Sequence, residues 1–169
     1  MGIRILGLDP GLNITGYGLL EETGDELSVL EAGVIRTNAK EQMPFRLNEI
    51  GREIDQIMSQ WRPDSVAVEE LYSHYGHPRT AIIMGHARGV LLQKAAEYST
   101  SVHTYSSTRI KKSLTGNGRA SKQQMQLMIR SALMLTEIPE PPDVADALAV
   151  ALCHCRAMQS SIGRALAVS

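Results

Sequence analysis

Apolar residues first gather in three short runs, Ile3 to Asp9, Thr15 to Glu21 and Leu27 to Thr37, separated by Pro10-Gly11 and Thr23-Gly24-Asp25. Turn signals between apolar runs predict three consecutive antiparallel strands. From about Pro44 to Trp61 the period changes. Leu47, Ile50, Ile54, Ile57 and Met58 recur at spacings of three and four, which forms one apolar stripe along a helix. Alternation returns in DSVAVEE, Asp64 to Glu70, a short buried strand that ends in carboxylates. A long helix from about Thr80 to Glu97, a strand at Val102 to Tyr105, and helices over Thr108 to Leu114, Ser121 to Leu135 and Pro142 to Met158 complete the pattern.

This order predicts an α/β fold. A mixed sheet of about five strands, the first three antiparallel, is expected to carry helices on both faces. With 169 residues, 43% hydrophobic and 21% charged, the chain suits a single domain over 1–158. The stretch 159–169 has no clear packing partner and reads as a flexible tail. No apolar run approaches the roughly 20 residues that span a bilayer. The N-terminus also lacks a small-residue cleavage site, so a cytoplasmic protein with no membrane partner is expected. Cys153 and Cys155 stand two apart on a predicted helix, which points to packed thiols rather than a disulfide or zinc site. Met125, Met128 and Met134 read as core or dimer-packing residues.

Charge changes the picture through its distribution. Residues 1–70 hold six Lys/Arg against thirteen Asp/Glu, whereas Leu71 to Thr136 holds nine basic residues and the single acid Glu97. The 39 residues from Tyr98 to Thr136 contain no acid at all. A solvated helix face normally mixes signs, so this stretch predicts a surface for a polyanion.

Four acids stand where chemistry gathers. Asp9 and Glu69 or Glu70 end central-looking strands, where α/β proteins place functional groups. In EPPDVADALAVALCHC, Pro141 and Pro142 favour a helix start, which puts Asp143 in the first turn and Asp146 on the same face. If the first and fourth strands are neighbours, these carboxylates meet at one sheet end. A divalent metal is their natural counter-charge, because hard cations select oxygen ligands. Taken singly, each acid has an ordinary reading: Asp9 as a turn cap, Glu69 or Glu70 in a surface ion pair, Asp143 complementing a helix dipole. A carboxylate metal site beside a basic surface suggests phosphodiester hydrolysis, with two Mg²⁺ ions activating water and stabilising the leaving oxygen.

ILGLDPG followed by TGYG, then VAVEELY, GHARGV, TRIKKSLTGNGRASKQQM and DVADALAVALCHC resemble, in order and spacing, the RuvC family of Holliday-junction resolvases. The resemblance spans about Ile3 to Cys155. It implies a ribonuclease-H-like fold, a homodimer, and Mg²⁺-dependent endonucleolytic cleavage of four-way junction DNA, with Mn²⁺ able to substitute. It also implies cooperation with a branch-migration motor of the RuvA and RuvB type. The family's catalytic and metal-binding tetrad falls on Asp9, Glu69, Asp143 and Asp146, and its DNA-contacting lysines on Lys111 and Lys122. Its junction-stacking aromatic falls on Tyr72, where many relatives carry Phe. Arg79, Arg109, Lys112 and Arg119 add positive charge expected to hold phosphates. His86 departs from the family's more usual glutamine, and His74 and His77 lie in the loop after Glu69. Two other readings fit parts of the chain. An actin-like or sugar-kinase-like ATPase also opens on such a strand and hairpin, and a non-enzymatic DNA-binding module would explain the basic stretch alone.

Overall fold

A computed structural model describes residues 2–71 and 78–167. Strands β1 (Ile3–Asp9), β2 (Ile14–Thr23) and β3 (Glu26–Arg36) form an antiparallel meander. Helix α1 (Met43–Trp61) leads to β4 (Ser65–Glu69), α2 (Pro78–Glu97) and β5 (Ser101–Tyr105). Helices α3 (Ser107–Thr115), α4 (Lys122–Ala132) and α5 (Pro142–Ala167) follow. The five strands lie in the order β3-β2-β1-β4-β5, with β4 parallel to β1 and β5 parallel to β4. The expected α/β mixed sheet of five strands, its first three antiparallel, is therefore present.

Strand alternation sends consecutive residues to two different cores. Leu6, Leu8, Leu19, Val66 and Val68 pack with Ile50, Ile54 and Met58 of α1 and Leu91 of α2. Ile5, Leu20, Ala67 and Tyr105 pack with Leu148, Ala151 and Leu152 of α5 and with Ile110, Met125 and Ile129 of α3 and α4. Parity then carries outward along each strand. Asp9 shares the face of Ile5 and Gly7, and Glu69 shares the face of Ala67, so both acids turn toward α5.

Helix α5 approaches that face unusually closely. A Cβ built at Gly7 would lie 2.6 Å from the Ala151 backbone nitrogen and nearer still to the Ala147 carbonyl oxygen. One built at Gly16 would lie 2.9 Å from the Asp143 carbonyl carbon. The obstructing atoms are backbone, which no side-chain rotation can clear. Glycine at these positions lets the helix rest directly on β1 and β2.

Buried polar groups fasten the layers. His154 of α5, 2% exposed, bridges Tyr105 Oη at 2.6 Å and Ser65 Oγ at 3.0 Å, which ties the helix to β5 and β4. Burial, together with His103 stacked at 4.2 Å, lowers the His154 pKa to about 4, so the ring is neutral near pH 7. On the opposite face, the Glu31 carboxylate accepts from Tyr17 Oη at 3.0 Å and Trp61 Nε1 at 2.5 Å, joining β3 to β2 and the end of α1.

Several sequence expectations shift. Helix α4 ends at Ala132 rather than Leu135, because Met134 adopts φ 50° in a tight turn. Met134 is 80% exposed, which removes the core from its two expected places and leaves dimer packing, whereas Met125 is buried in the core. Helix α5 runs on to Ala167, past the Met158 at which the apolar pattern was expected to stop. Cys153 and Cys155 are both free and buried, as expected of packed thiols. Among the described residues no helix is long and apolar enough to cross a membrane.

The close approach is testable. Gly7→Ala is expected to destabilise the protein by about 2–3 kcal/mol, the cost of overpacking against backbone. Urea unfolding would report it as a lower midpoint with an unchanged slope. An unchanged midpoint would show that α5 does not press on β1.

Candidate active site

Three elements converge at one end of the sheet. Strands β1 and β4 are parallel neighbours paired through Leu8 and Val68, so Asp9 and Glu69, one residue further on, emerge side by side. Asp9 pairs across β2 with Gly16, and Gly16 lies against the backbone of Asp143. The first turn of α5 is thus seated over Asp9. Asp146, one turn on, lines a cleft that also contains Glu69.

Electrostatics show how closely the four acids interact. Burial, then the charges of Glu69, Asp146 and Asp143 in that order, raises the Asp9 pKa from 3.8 to about 7, with Lys122 opposing. Burial also raises Glu69. A hydrogen bond with Ser107 and the charge of Lys111 oppose that rise, and Asp146 adds to it. Lys122 Nζ lies 3.2 Å from Asp146 Oδ2. Desolvation by itself would lower the Lys122 pKa, but Asp146, with Asp143 and Asp9 behind it, raises it. Two ammonium groups, Lys122 and Lys111, therefore face a cluster of four carboxylates.

Such a donor set suits a hard divalent cation, which carries two charges and binds carboxylate oxygens. Among the described residues no three metal-binding side chains converge closely enough to enclose an ion as they stand. The fit lies in donor chemistry and unrelieved repulsion, and an ion would have to draw the carboxylates inward.

The cleft has one acidic and one basic wall. Glu69 and Asp146 face Lys111 of α3 and Lys122 at the start of α4, above a floor that includes Ile110 and Met125. The two lysines named from the sequence are brought together here, although ten residues of helix and turn separate them. Gly116, at φ 75°, ends α3 in the left-handed conformation that lets the chain reverse. Ser121 then caps α4 through a capping box with Gln124, placing Lys122 at the first helical position.

Other sequence candidates lie further out. The Arg109 guanidinium sits 4.8 Å above the Tyr105 ring, and Lys112 and Arg119 are exposed on α3 and the turn after it. Arg79 is exposed at the start of α2, as is His86 further along that helix. Tyr72, His74 and His77 fall outside the described residues. Ser107 was not anticipated. Its place in YSSTRI, between a strand and a basic helix, signalled only a helix cap, a role Ser106 fills by accepting from Arg109 N at 3.3 Å.

A mixed sheet that opens on an antiparallel meander, with acids ending two adjacent parallel strands and two more on the helix across them, defines the ribonuclease-H-like class. Residues 5–154 match the family model described as "Crossover junction endodeoxyribonuclease RuvC". A protein of that name from Rhodopirellula baltica is 47% identical over 96% of this chain and 92% of its own length. The Thermus thermophilus RuvC structure superposes with a TM-score of 0.86 at 33% identity, covering 94% of this chain and 97% of that one. T. thermophilus RuvC in complex with a Holliday junction substrate gives 0.85 at 33% identity, covering 90% and 93%. The chain belongs to the RuvC family of crossover junction endodeoxyribonucleases.

The raised Asp9 pKa makes the metal-free protein pH-sensitive in a defined direction. The folded protein holds the Asp9 proton more tightly than the unfolded chain does. This group's contribution to stability is therefore fully present below about pH 4 and is lost as pH rises toward 7. In metal-free buffer, Asp9→Asn is expected to raise Tm at pH 8 by on the order of 5 °C and to change it much less at pH 4. Calorimetry at both pH values checks this, and a variant less stable than wild type at pH 8 would show that Asp9 is not under repulsion.

Proposed function

We propose that this protein is a Mg²⁺-dependent endonuclease that resolves Holliday junctions in recombination and DNA repair. Its two-fold homodimer makes paired symmetric nicks that leave 5′-phosphate and 3′-hydroxyl ends. The carrying observation is the cluster of Asp9, Glu69, Asp143 and Asp146 in and beside a cleft whose other wall is Lys111 and Lys122. Family membership supports the reading, as does the superposition on a relative whose structure contains a junction substrate.

The tetrad would hold two Mg²⁺ per subunit, which would supply charge neutralisation of the four acids, activation of the attacking water and stabilisation of the leaving oxygen. The chain's own residues do the rest. Rigid strand ends fix Asp9 and Glu69, while α5, locked onto β1 and β2, fixes Asp143 and Asp146 against them. Ser107 orients Glu69 through its hydrogen bond. Lys122 pairs with Asp146 while DNA is absent and transfers to a backbone phosphate when DNA arrives, with Lys111 beside it on the same strand. Arg79, Arg109, Lys112 and Arg119 extend the positive surface, and Tyr72 stacks on a base at the junction point. Two equivalent sites match a junction of approximate two-fold symmetry, so paired nicks release two duplexes. A branch-migration motor of the RuvA and RuvB type supplies the junction, and the protein works in the cytoplasm.

Asp9→Asn is expected to bind a synthetic four-way junction with near wild-type affinity and to cut it at least about 1000-fold more slowly in Mg²⁺, as loss of a metal ligand and its charge implies. Gel assays of binding and nicking separate the two, and retained cleavage would sink the catalytic assignment. Junction affinity of the wild type should fall steeply with salt. Lys122→Ala should lower the slope of log K against log salt by about one, as the loss of one phosphate contact requires.

A further inference from the structure

A second cavity opens on the other flank of the acidic cluster. Its walls are the β1–β2 turn at Leu12 and Asn13, Arg46 in the first turn of α1, and Thr80 and Met84 of α2, with Asp143 completing the lining. The Lys111–Lys122 cleft belongs to the α3 and α4 side of the sheet, and this cavity belongs to the α1 and α2 side. The tetrad stands between them.

Arg46 is the unexplained group there. It is 9% exposed, and all its partners are neutral: Nε donates to Thr37 Oγ1 at 2.9 Å, and Nη2 donates to the Leu12 carbonyl at 3.3 Å and to Asn13 Oδ1. Among the described residues it pairs with no carboxylate, and its Nη1 finds no acceptor in the chain. A buried guanidinium without an anion is costly, and such groups are ordinarily paired. If pinning the turn were its whole task, an uncharged donor would do it without that cost. A phosphate oxygen is the partner whose geometry a guanidinium fork fits.

We infer that this cavity binds a phosphodiester of the cut strand next to the scissile one, with Arg46 as its positioning residue. The inference rests on the nuclease reading. A strand crossing the tetrad is then gripped on both flanks, by Lys111 and Lys122 on one and by Arg46 on the other. Asp143, whose charge would repel that phosphate, is one of the proposed metal ligands, so a loaded site removes the conflict. Asn13, already oriented by its bond to Arg46, offers its amide N–H groups to the same phosphate.

The test replaces single phosphates near the cut by neutral methylphosphonates in a synthetic four-way junction and measures nicking in Mg²⁺. With the wild type, one position on one side of the cut is expected to slow nicking about 10-fold, the worth of a charge-assisted hydrogen bond. With Arg46→Gln the unmodified junction is cut slowly, and that same methylphosphonate adds nothing further, because the two changes remove one interaction. Equal methylphosphonate penalties in both proteins at every position would overturn the inference and leave Arg46 as a turn fastener. Should Arg46→Gln fail to fold, Thr80→Glu decides. Thr80 is exposed, and its side chain makes no hydrogen bond among the described residues, so the added charge should slow nicking about 10-fold and shrink the same penalty. Unchanged rate and penalties with Thr80→Glu would refute the pocket. If the wild type does not nick at all, the nuclease reading fails, and the same penalties, read as loss of junction binding, still decide the pocket.

Discussion

Helix α5 meets β1 and β2 backbone to backbone at Gly7 and Gly16, and the rest of the site follows from that contact. Gly7 and Gly16 make it possible. Gly16 is the cross-strand partner of Asp9 and the residue on which Asp143 rests, so one glycine sets the distance between a strand-end acid and a helix-start acid. Behind it the helix is held by Leu148, Ala151 and Leu152, and by His154 bridging Tyr105 and Ser65. The carboxylates are therefore mounted on packed, fully paired elements that have little freedom to move apart.

That rigidity works against the stability of the metal-free protein. Burial first, and then the charges of Glu69, Asp146 and Asp143 that the packing holds beside it, raise the Asp9 pKa to about 7, and the exposed Lys122 does not offset them. The fold pays for this arrangement through its two apolar cores, and a divalent cation is the group that relieves it. In this account the pairing of Lys122 with Asp146 is a resting state: the lysine stands in for missing positive charge and is freed for phosphate when the site is loaded. In the proposed reading, the anchored acids take the metal and Lys122 takes the DNA.

Much of this was legible in the sequence because parity and period carry direction. The family resemblance picked Glu69 over Glu70, in agreement with the alternation of VAVEE, and helical spacing put Asp143 and Asp146 on one face, so the four acids needed only the β1–β4 pairing to come together. The acid-free stretch predicted a basic surface, and the family resemblance singled out Lys111 and Lys122 within it, although their meeting in one cleft depends on the left-handed Gly116 and the Ser121 cap, which set an angle between helices that composition does not encode. Arg46 and Ser107 were missed for a common reason. Each lies in a helical first turn and reads as ordinary there, and its significance comes from partners 33 residues away at Asn13 and 38 away at Glu69. Met134 shows the opposite limit, since its apolar character allowed the core as one of its two places while the turn at its own backbone carries it outward.

The central claim is that packing forces the acids into a repulsion which a divalent metal relieves. Proton release on metal binding measures this most directly. Titrating Mg²⁺ into the metal-free protein by calorimetry, in buffers of different ionisation enthalpy, counts the protons expelled as the ion displaces them from the carboxylates. With Asp9 near half-protonated at pH 7, about half a proton per subunit should be released there, and almost none at pH 9. Metal binding that released no proton at pH 7 would contradict the account, because Asp9 would then already be ionised, with neither burial nor its acidic neighbours holding the proton on it.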